Sequence, residues 1–174
     1  MRKVARFEKI SYEQWKEDFF SNCEGNGGLL CKYGALEYLL DSMELPQRAT
    51  KGSAGYDFKA PFEIVIPPHS TVKFGTGVKC HIEDGYVLEL YPRSSLGFKH
   101  RLALNNTVGI IDSDYYNNKN NEGHIQCKFY NPNDYPISIK KGEAYMQGIF
   151  KEYFLAEEED ITTERVGGIG STSK

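Results

Sequence analysis

The sequence predicts an all-β domain, of the sandwich, barrel or jelly-roll type, with a small helical insertion near its N-terminus. Three observations predict it. Beyond Pro46, short runs rich in Val, Ile, Thr and aromatic residues alternate with turn signals at close spacing. The aromatic supply is generous, with 12 Tyr and 10 Phe, and suits a packed β core. Before Pro46 the apolar spacing is instead helical. The chain of 174 residues is long enough for one domain with a substantial core.

In chain order, Lys3 to Ile10 mixes apolar and charged residues and reads as an edge strand. Ser11-Tyr12-Glu13-Gln14 has the form of a capping box, with Ser11 as N-cap and Gln14 reaching back. Tyr12, Trp15 and Phe19 then give one apolar face to a helix over about residues 12–21, with Trp15 as a packing anchor. Gly25-Asn26-Gly27-Gly28 breaks the chain. A second helix is expected over 33–43, with Leu36, Leu39, Leu40 and Met43 on one side and Leu45-Pro46 as its end. Strands are expected at 63–66, 71–82, 86–91, 102–105, 124–130, 136–139 and 144–154. Pro67-Pro68, Glu83-Asp84-Gly85, Pro132-Asn133-Asp134 and Lys140-Lys141-Gly142 supply the turns between them. The expected organisation is an edge strand at 1–10, a helical insertion at 11–43, a β core at 44–156, and an acidic linker with a Gly-rich arm at 157–174.

Composition narrows the function. A formal net charge of −3 argues against a general nucleic-acid binder. Hydrophobic content is 40%, and no apolar run approaches the ~18 residues that span a bilayer. Met1-Arg2-Lys3 leads into mixed residues and not into the apolar core of a signal peptide, so a cytoplasmic location is expected. The four cysteines, at 23, 31, 80 and 127, form no C-x-x-C pair and have no His at finger spacing. Plain thiols are expected, with no structural zinc and no disulfide framework.

Gly109-Ile110-Ile111-Asp112-Ser113-Asp114-Tyr115 reads as a strand ending in a tight hairpin, with carboxylates and a ring at its mouth. Taken alone, Asp112 and Asp114 fit an ordinary Asx turn, and only the company they keep points to chemistry. Gly52-Ser53-Ala54-Gly55-Tyr56-Asp57 puts an acid after a flexible turn. Pro92-Arg93-Ser94-Ser95-Leu96-Gly97 joins a guanidinium fork to two hydroxyls, a sensible phosphate clamp. Asn105-Asn106 precedes the central strand, and Gln147 interrupts an apolar one. The tail from Arg165 to Lys174 combines Gly, Ser and Thr with charge, a composition that wraps phosphate oxygens or forms a loose terminus. The run from Tyr116 to Glu122 reads as a solvated flap.

Taken in order, GSAGYD, PRSSLG, NNTVGIIDSDY, GEAYMQ and RVGGIGSTS resemble the five motifs of the trimeric deoxyuridine triphosphatases, over Arg48 to Lys174. The resemblance implies a jelly-roll protomer, a homotrimer with sites at subunit interfaces, and Mg²⁺-assisted hydrolysis of dUTP to dUMP and pyrophosphate. By the same resemblance, Asp112 is the general base and Gln147 helps to hold the attacking water. Tyr115 packs under deoxyribose and excludes a 2′-hydroxyl. Asn106 and the backbone of the hairpin from Gly109 to Tyr115, Ile111 included, read uracil, with Gln126 contributing. Arg93, Ser94 and Ser95 clamp phosphate, and Asp57 meets the metal through water. Arg165, Ser171 and Thr172 belong to the arm that closes over the triphosphate. Two positions depart from the family pattern: Ile169 replaces the aromatic expected over uracil, and Ala144 stands where Arg is common. Two rivals are a dCTP deaminase-like enzyme and a nucleotide-switched regulatory binding protein. The first wants a glutamate near Lys128, and the second draws only on residues 11–43.

Overall fold

The computed structural model describes residues 2–25, 36–157, 161, 165 and 167, with only the backbone given for 24 and 25. Four antiparallel sheets form the body. Strand β1 (Ala5–Lys9) pairs with β6 (Val78–Ile82). Strands β5 (Thr71–Gly75), β10 (Gln126–Tyr130) and β8 (Ala103–Leu104) form a second sheet, in that order. A third joins β4 (Ile64–Ile66) to β11 (Ile137–Ile139). The largest runs β2 (Gln47–Arg48), β3 (Tyr56–Lys59), β12 (Ala144–Glu152), β7 (Tyr86–Pro92), β9 (Gly109–Ile111). The fold is an all-β jelly roll with few helices, not a closed barrel.

Period-two burial explains why these runs are strands. In β5, β6 and β10 alternate residues face a common core, among them Val72, Phe74, Cys80, Ile82, Cys127 and Phe129. The expected strand over 71–82 is two strands. Thr76-Gly77 separates them, and Gly77 adopts φ +72, which places a hypothetical Cβ 2.3 Å from Met43 Sδ. Helix α3 (Ser94–His100) is an addition to the expected elements.

The N-terminal helices match their pattern. Helix α1 (Tyr12–Gly25) buries Trp15, Phe19 and Cys23, and α2 (Leu36–Ser42) buries Leu36, Leu39 and Leu40. Trp15 Nε1 donates to the Leu36 carbonyl at 3.1 Å, so the anchor also ties α1 to α2. The capping box forms by half. The Gln14 amide N–H donates to Ser11 Oγ at 3.2 Å, but the Ser11 N–H is taken by Glu122 Oε2 at 3.0 Å. The Gln14 side chain turns instead to Asp18.

The cysteine expectation needs correction at one position. Cys80 and Cys127 are free and buried, and burial pushes the Cys80 thiol up to about 12. Cys23, by contrast, is disulfide-bonded. No helix among the described residues is long and apolar enough to cross a membrane.

Candidate active site

Strand β9 carries the central motif. Gly109 and Ile111 face inward, and Ile110 faces solvent. Gly109 packs closely, since a Cβ there would sit 3.1 Å from Leu90 Cβ and Leu90 would have to give by a few tenths of an ångström. The strand passes through Asp112, in extended backbone at φ −80 and ψ 161, into a 3-10 turn at Ser113–Tyr115. Asp112 makes no side-chain cap to that turn. The Asx-turn reading of Asp112 is therefore wrong: its carboxylate is spent elsewhere. Arg165 Nη2 donates to Asp112 Oδ2 at 2.6 Å, and Arg165 Nε to Asp114 Oδ1 at 2.7 Å. The same guanidinium lies 5.7 Å from the centre of the Tyr115 ring.

Tyr115 is 6% exposed. Its hydroxyl donates to the His124 carbonyl at 3.0 Å and accepts from Asn121 Nδ2 at 2.8 Å. Burial raises its pKa, against the opposing hydrogen bond from Asn121. The phenol thus stays protonated and acts as a fixed surface, not as an acid or base.

The run from Tyr116 to Glu122 is not the solvated flap that its composition suggests. Asn118 and Asn121 are buried. Asn118 Nδ2 donates to the Tyr115 carbonyl at 2.8 Å and to Asn121 Oδ1 at 2.7 Å, while Asn118 Oδ1 accepts the N–H groups of Asn120 and Asn121. These amides form a satisfied polar knot behind Tyr115. Asparagine signals turns in a sequence, and these bonds are as local as a turn's; the sequence does not announce that this turn is buried.

A cavity of about 470 Å³ opens beside this unit, lined by Asn105, Asn106, Gly109, Gln126, Leu90 and Met146, among others. Gln126 sits on β10 opposite Gly75 of β5. Asn106 is exposed in the turn ahead of Thr107, which adopts φ 62.

The second group of predicted residues lies apart. Gln147 of β12 pairs with Asp57 of β3 on one side and Tyr91 of β7 on the other. Arg93 Nη1 donates to Asp57 Oδ1 at 2.7 Å, with Asp57 only 13% exposed. Arg93 Nε is buried without a partner among the described residues. Ser94 and Ser95 occupy the first turn of α3, exposed. Arg93, Ser94 and Gln147 line one open cleft of about 650 Å³. Gly55 belongs to this group, since a Cβ there would meet Gln147 Oε1 at 2.6 Å. Only glycine leaves that amide its place.

One chain does not bring the two groups together. Leu90 and Met146 face the cavity, whereas their neighbours Tyr91 and Gln147 face the cleft. Successive strand residues point to opposite faces, so the compartments lie on opposite sides of the β7–β12 pair. They are also displaced along it. Ile111 pairs with Leu88, which puts Asp112 near Val87. Arg93 lies six residues further along, or about 20 Å at ~3.3 Å per residue.

Asp57, paired with Arg93 of the cleft, offers a hard carboxylate oxygen beside it. No group of three or more His, Cys, Asp or Glu side chains that could hold a metal occurs among the described residues. That donor set does not make a protein cage. It fits Mg²⁺, which keeps waters and takes phosphate oxygens as ligands. Ile169, Ser171 and Thr172 lie outside the described residues.

The dUTPase family model matches residues 41–173. The chain belongs to the dUTPase family. Among curated relatives in that family, the deoxyuridine 5′-triphosphate nucleotidohydrolase of Lactococcus lactis is 41% identical over 138 residues, covering 78% of this chain and 92% of the relative. The dUTPase of Streptococcus mutans is a solved structure with a TM-score of 0.64 and 35% identity, covering 87% of this chain and 98% of that one. A dUTPase mutant from phage phi11 of S. aureus matches with a TM-score of 0.61 over 92% of this chain and 98% of its own; at 18% identity it speaks to the fold alone. That structure is described as revealing the coordination of a structural Mg(II) ion.

Proposed function

We propose that the protein hydrolyses dUTP to dUMP and pyrophosphate, in a site that two or more copies of the chain build together. Its place in the dUTPase family is the observation that carries the reaction. In this reading the 105–126 unit is the nucleoside half. The cavity beside Asn106, Gly109, Ile111 and Gln126 takes uracil, and the buried face of Tyr115 seats deoxyribose, leaving no room for a 2′-hydroxyl. The cleft with Arg93, Ser94, Ser95, Gln147 and Asp57 is the phosphate half, supplied by a neighbouring copy. A homotrimer accounts for the shared sites. The separation of the two halves on a single chain supports it.

Asp112 is the general base. It takes a proton from a water that attacks the α-phosphorus in line with the leaving pyrophosphate. Gln147 of the neighbouring copy orients that water through its amide. A carboxylate is a weak base, so positioning must supply most of the acceleration. Mg²⁺ bound to the triphosphate supplies charge neutralisation there, with Asp57 the protein group that meets it, through water. Arg165 neutralises Asp112 and Asp114 in the empty site and exchanges their oxygens for phosphate oxygens when the triphosphate enters, with Ser171 and Thr172 following on the arm. The expected setting is the cytoplasm, where the reaction lowers dUTP and supplies dUMP for dTMP synthesis.

Pyrophosphate release with Mg²⁺ from dUTP, UTP, dTTP and dCTP tests this reading, with ammonia assayed in the dCTP reaction. Release from dUTP alone is expected. Ammonia from dCTP would mean a deaminase, and no release from any of the four would point to a binding role.

A further inference from the structure

Helix α1 precedes the region matched by the family model, which begins at residue 41. It nevertheless reaches the nucleotide site. Asp18 of α1 meets two side-chain donors at one carboxylate oxygen. His124 Nε2 accepts the Gly77 N–H at 2.9 Å, which leaves His124 Nδ1 as the donor to Asp18 Oδ2 at 2.5 Å. Gln14 Nε2 donates to the same oxygen at 3.1 Å. The Gln126 side chain lies close enough to add to the lowering of the Asp18 pKa.

Each partner leads to the site. The His124 carbonyl receives the Tyr115 hydroxyl, and Gln126 lines the cavity beside Asn106 and Gly109. His124 is fully buried and lies on Gly75, where a Cβ would come within 2.3 Å of its Cε1. A second tie runs parallel: Glu122 accepts from the N–H and the hydroxyl of Ser11, the first residue before α1.

We propose that Asp18 is a positioning residue of the nucleotide site, holding Tyr115 through His124 beside Gln126. The inference rests on the assignment of Tyr115 and Gln126 to the nucleoside half. Docking the helix does not require this carboxylate. Trp15 and Phe19 already bury one face of α1, and Phe19 packs edge-to-face on Phe62 at 5.9 Å. A half-buried charge carries a desolvation cost that an apolar residue at position 18 would avoid. The position of His124 between it and Tyr115 gives that charge a role.

The test compares Asp18→Ala, Asp18→Asn, Phe19→Leu and Gln126→Ala in the full-length protein, reading KM for dUTP and the kcat/KM ratio of dUTP over UTP beside the melting temperature. Asp18→Ala is expected to raise KM and lower the dUTP/UTP ratio by about tenfold or more, the scale of misplaced binding groups. Asp18→Asn, with one neutral acceptor oxygen, should fall between it and the parent. Phe19→Leu is expected to lower the melting temperature while leaving KM and the ratio unchanged. A folded Asp18→Ala with unaltered KM and ratio overturns the proposal, as does a Phe19→Leu protein that shifts both as far. Should Asp18→Ala not fold, Asp18→Asn decides alone, and parental values in it overturn the proposal. Gln126→Ala separates the two readings. A raised KM there beside an unaffected Asp18→Ala sinks only the role of Asp18; no change in either sinks the nucleoside assignment itself.

Discussion

Asp112 is held in extended backbone, uncapped, at the point where β9 gives way to a turn. A side chain on a strand end is placed by the whole sheet, and this is the rigidity that a weak base needs. Asp112→Asn keeps the shape and removes the proton acceptor. It should bind dUTP normally while kcat falls by about two to four orders of magnitude, as read by steady-state kinetics; near-normal turnover would remove Asp112 from its role. Gly55 makes a subtler case. Gly55→Ala drives a methyl against the Gln147 amide, whose end can swing away at little cost to the fold. The melting temperature should hold within a few degrees while kcat drops by about tenfold to a hundredfold. A parallel loss of stability would point to a packing role.

At the scale of elements, the junction between α1 and the 116–126 segment is built from ionised carboxylates. Burial alone would raise the pKa of Glu122, but the hydrogen bonds from Ser11 and the charge of Lys79 outweigh it, and the net shift is downward. Asp18 shows the same balance, with burial outweighed by His124, Gln14 and Gln126. A depressed carboxylate pKa contributes stability that is present above the unfolded value and is lost as pH falls through the folded one. Melting temperature should therefore fall as pH drops below the ordinary carboxylate range. Glu122→Gln should be less stable than the parent at neutral pH, with the difference shrinking in acid. A constant difference across that range would contradict the assignment.

The elements also show what the sequence can carry. Period-two and helical spacing found β1, β7, β10, β12 and both N-terminal helices, because burial on one face imprints directly on residue order. The break at Thr76-Gly77 was missed because strand-forming residues flank it on both sides, Thr71, Val72 and Phe74 before and Val78 and Ile82 after. Asn118 and Asn121 were missed for a different reason: a buried turn amide and an exposed one make the same local bonds and look alike in sequence. Family motifs brought Asp112, Arg93 and Gln147 onto one page. Nothing in their spacing says that they stand on opposite faces of one strand pair.

That separation is the main feature of the whole molecule. Asp112 and Arg93 lie about 20 Å apart by strand geometry, on opposite faces of one strand pair, and one chain does not close both around one nucleotide. In the proposed assembly a second copy's cleft meets the first copy's hairpin. The most direct test mixes two inactive variants, Asp112→Asn and Arg93→Ala, unfolded together and reassembled at equal amounts. In a cyclic assembly with shared sites, about a quarter of the sites pair an intact Asp112 with an intact Arg93 from the neighbour. Recovery of roughly that fraction of parental dUTP hydrolysis is the predicted result. No recovery, with both variants folded and freely exchanging chains, would mean that each chain builds its site alone and would contradict the account.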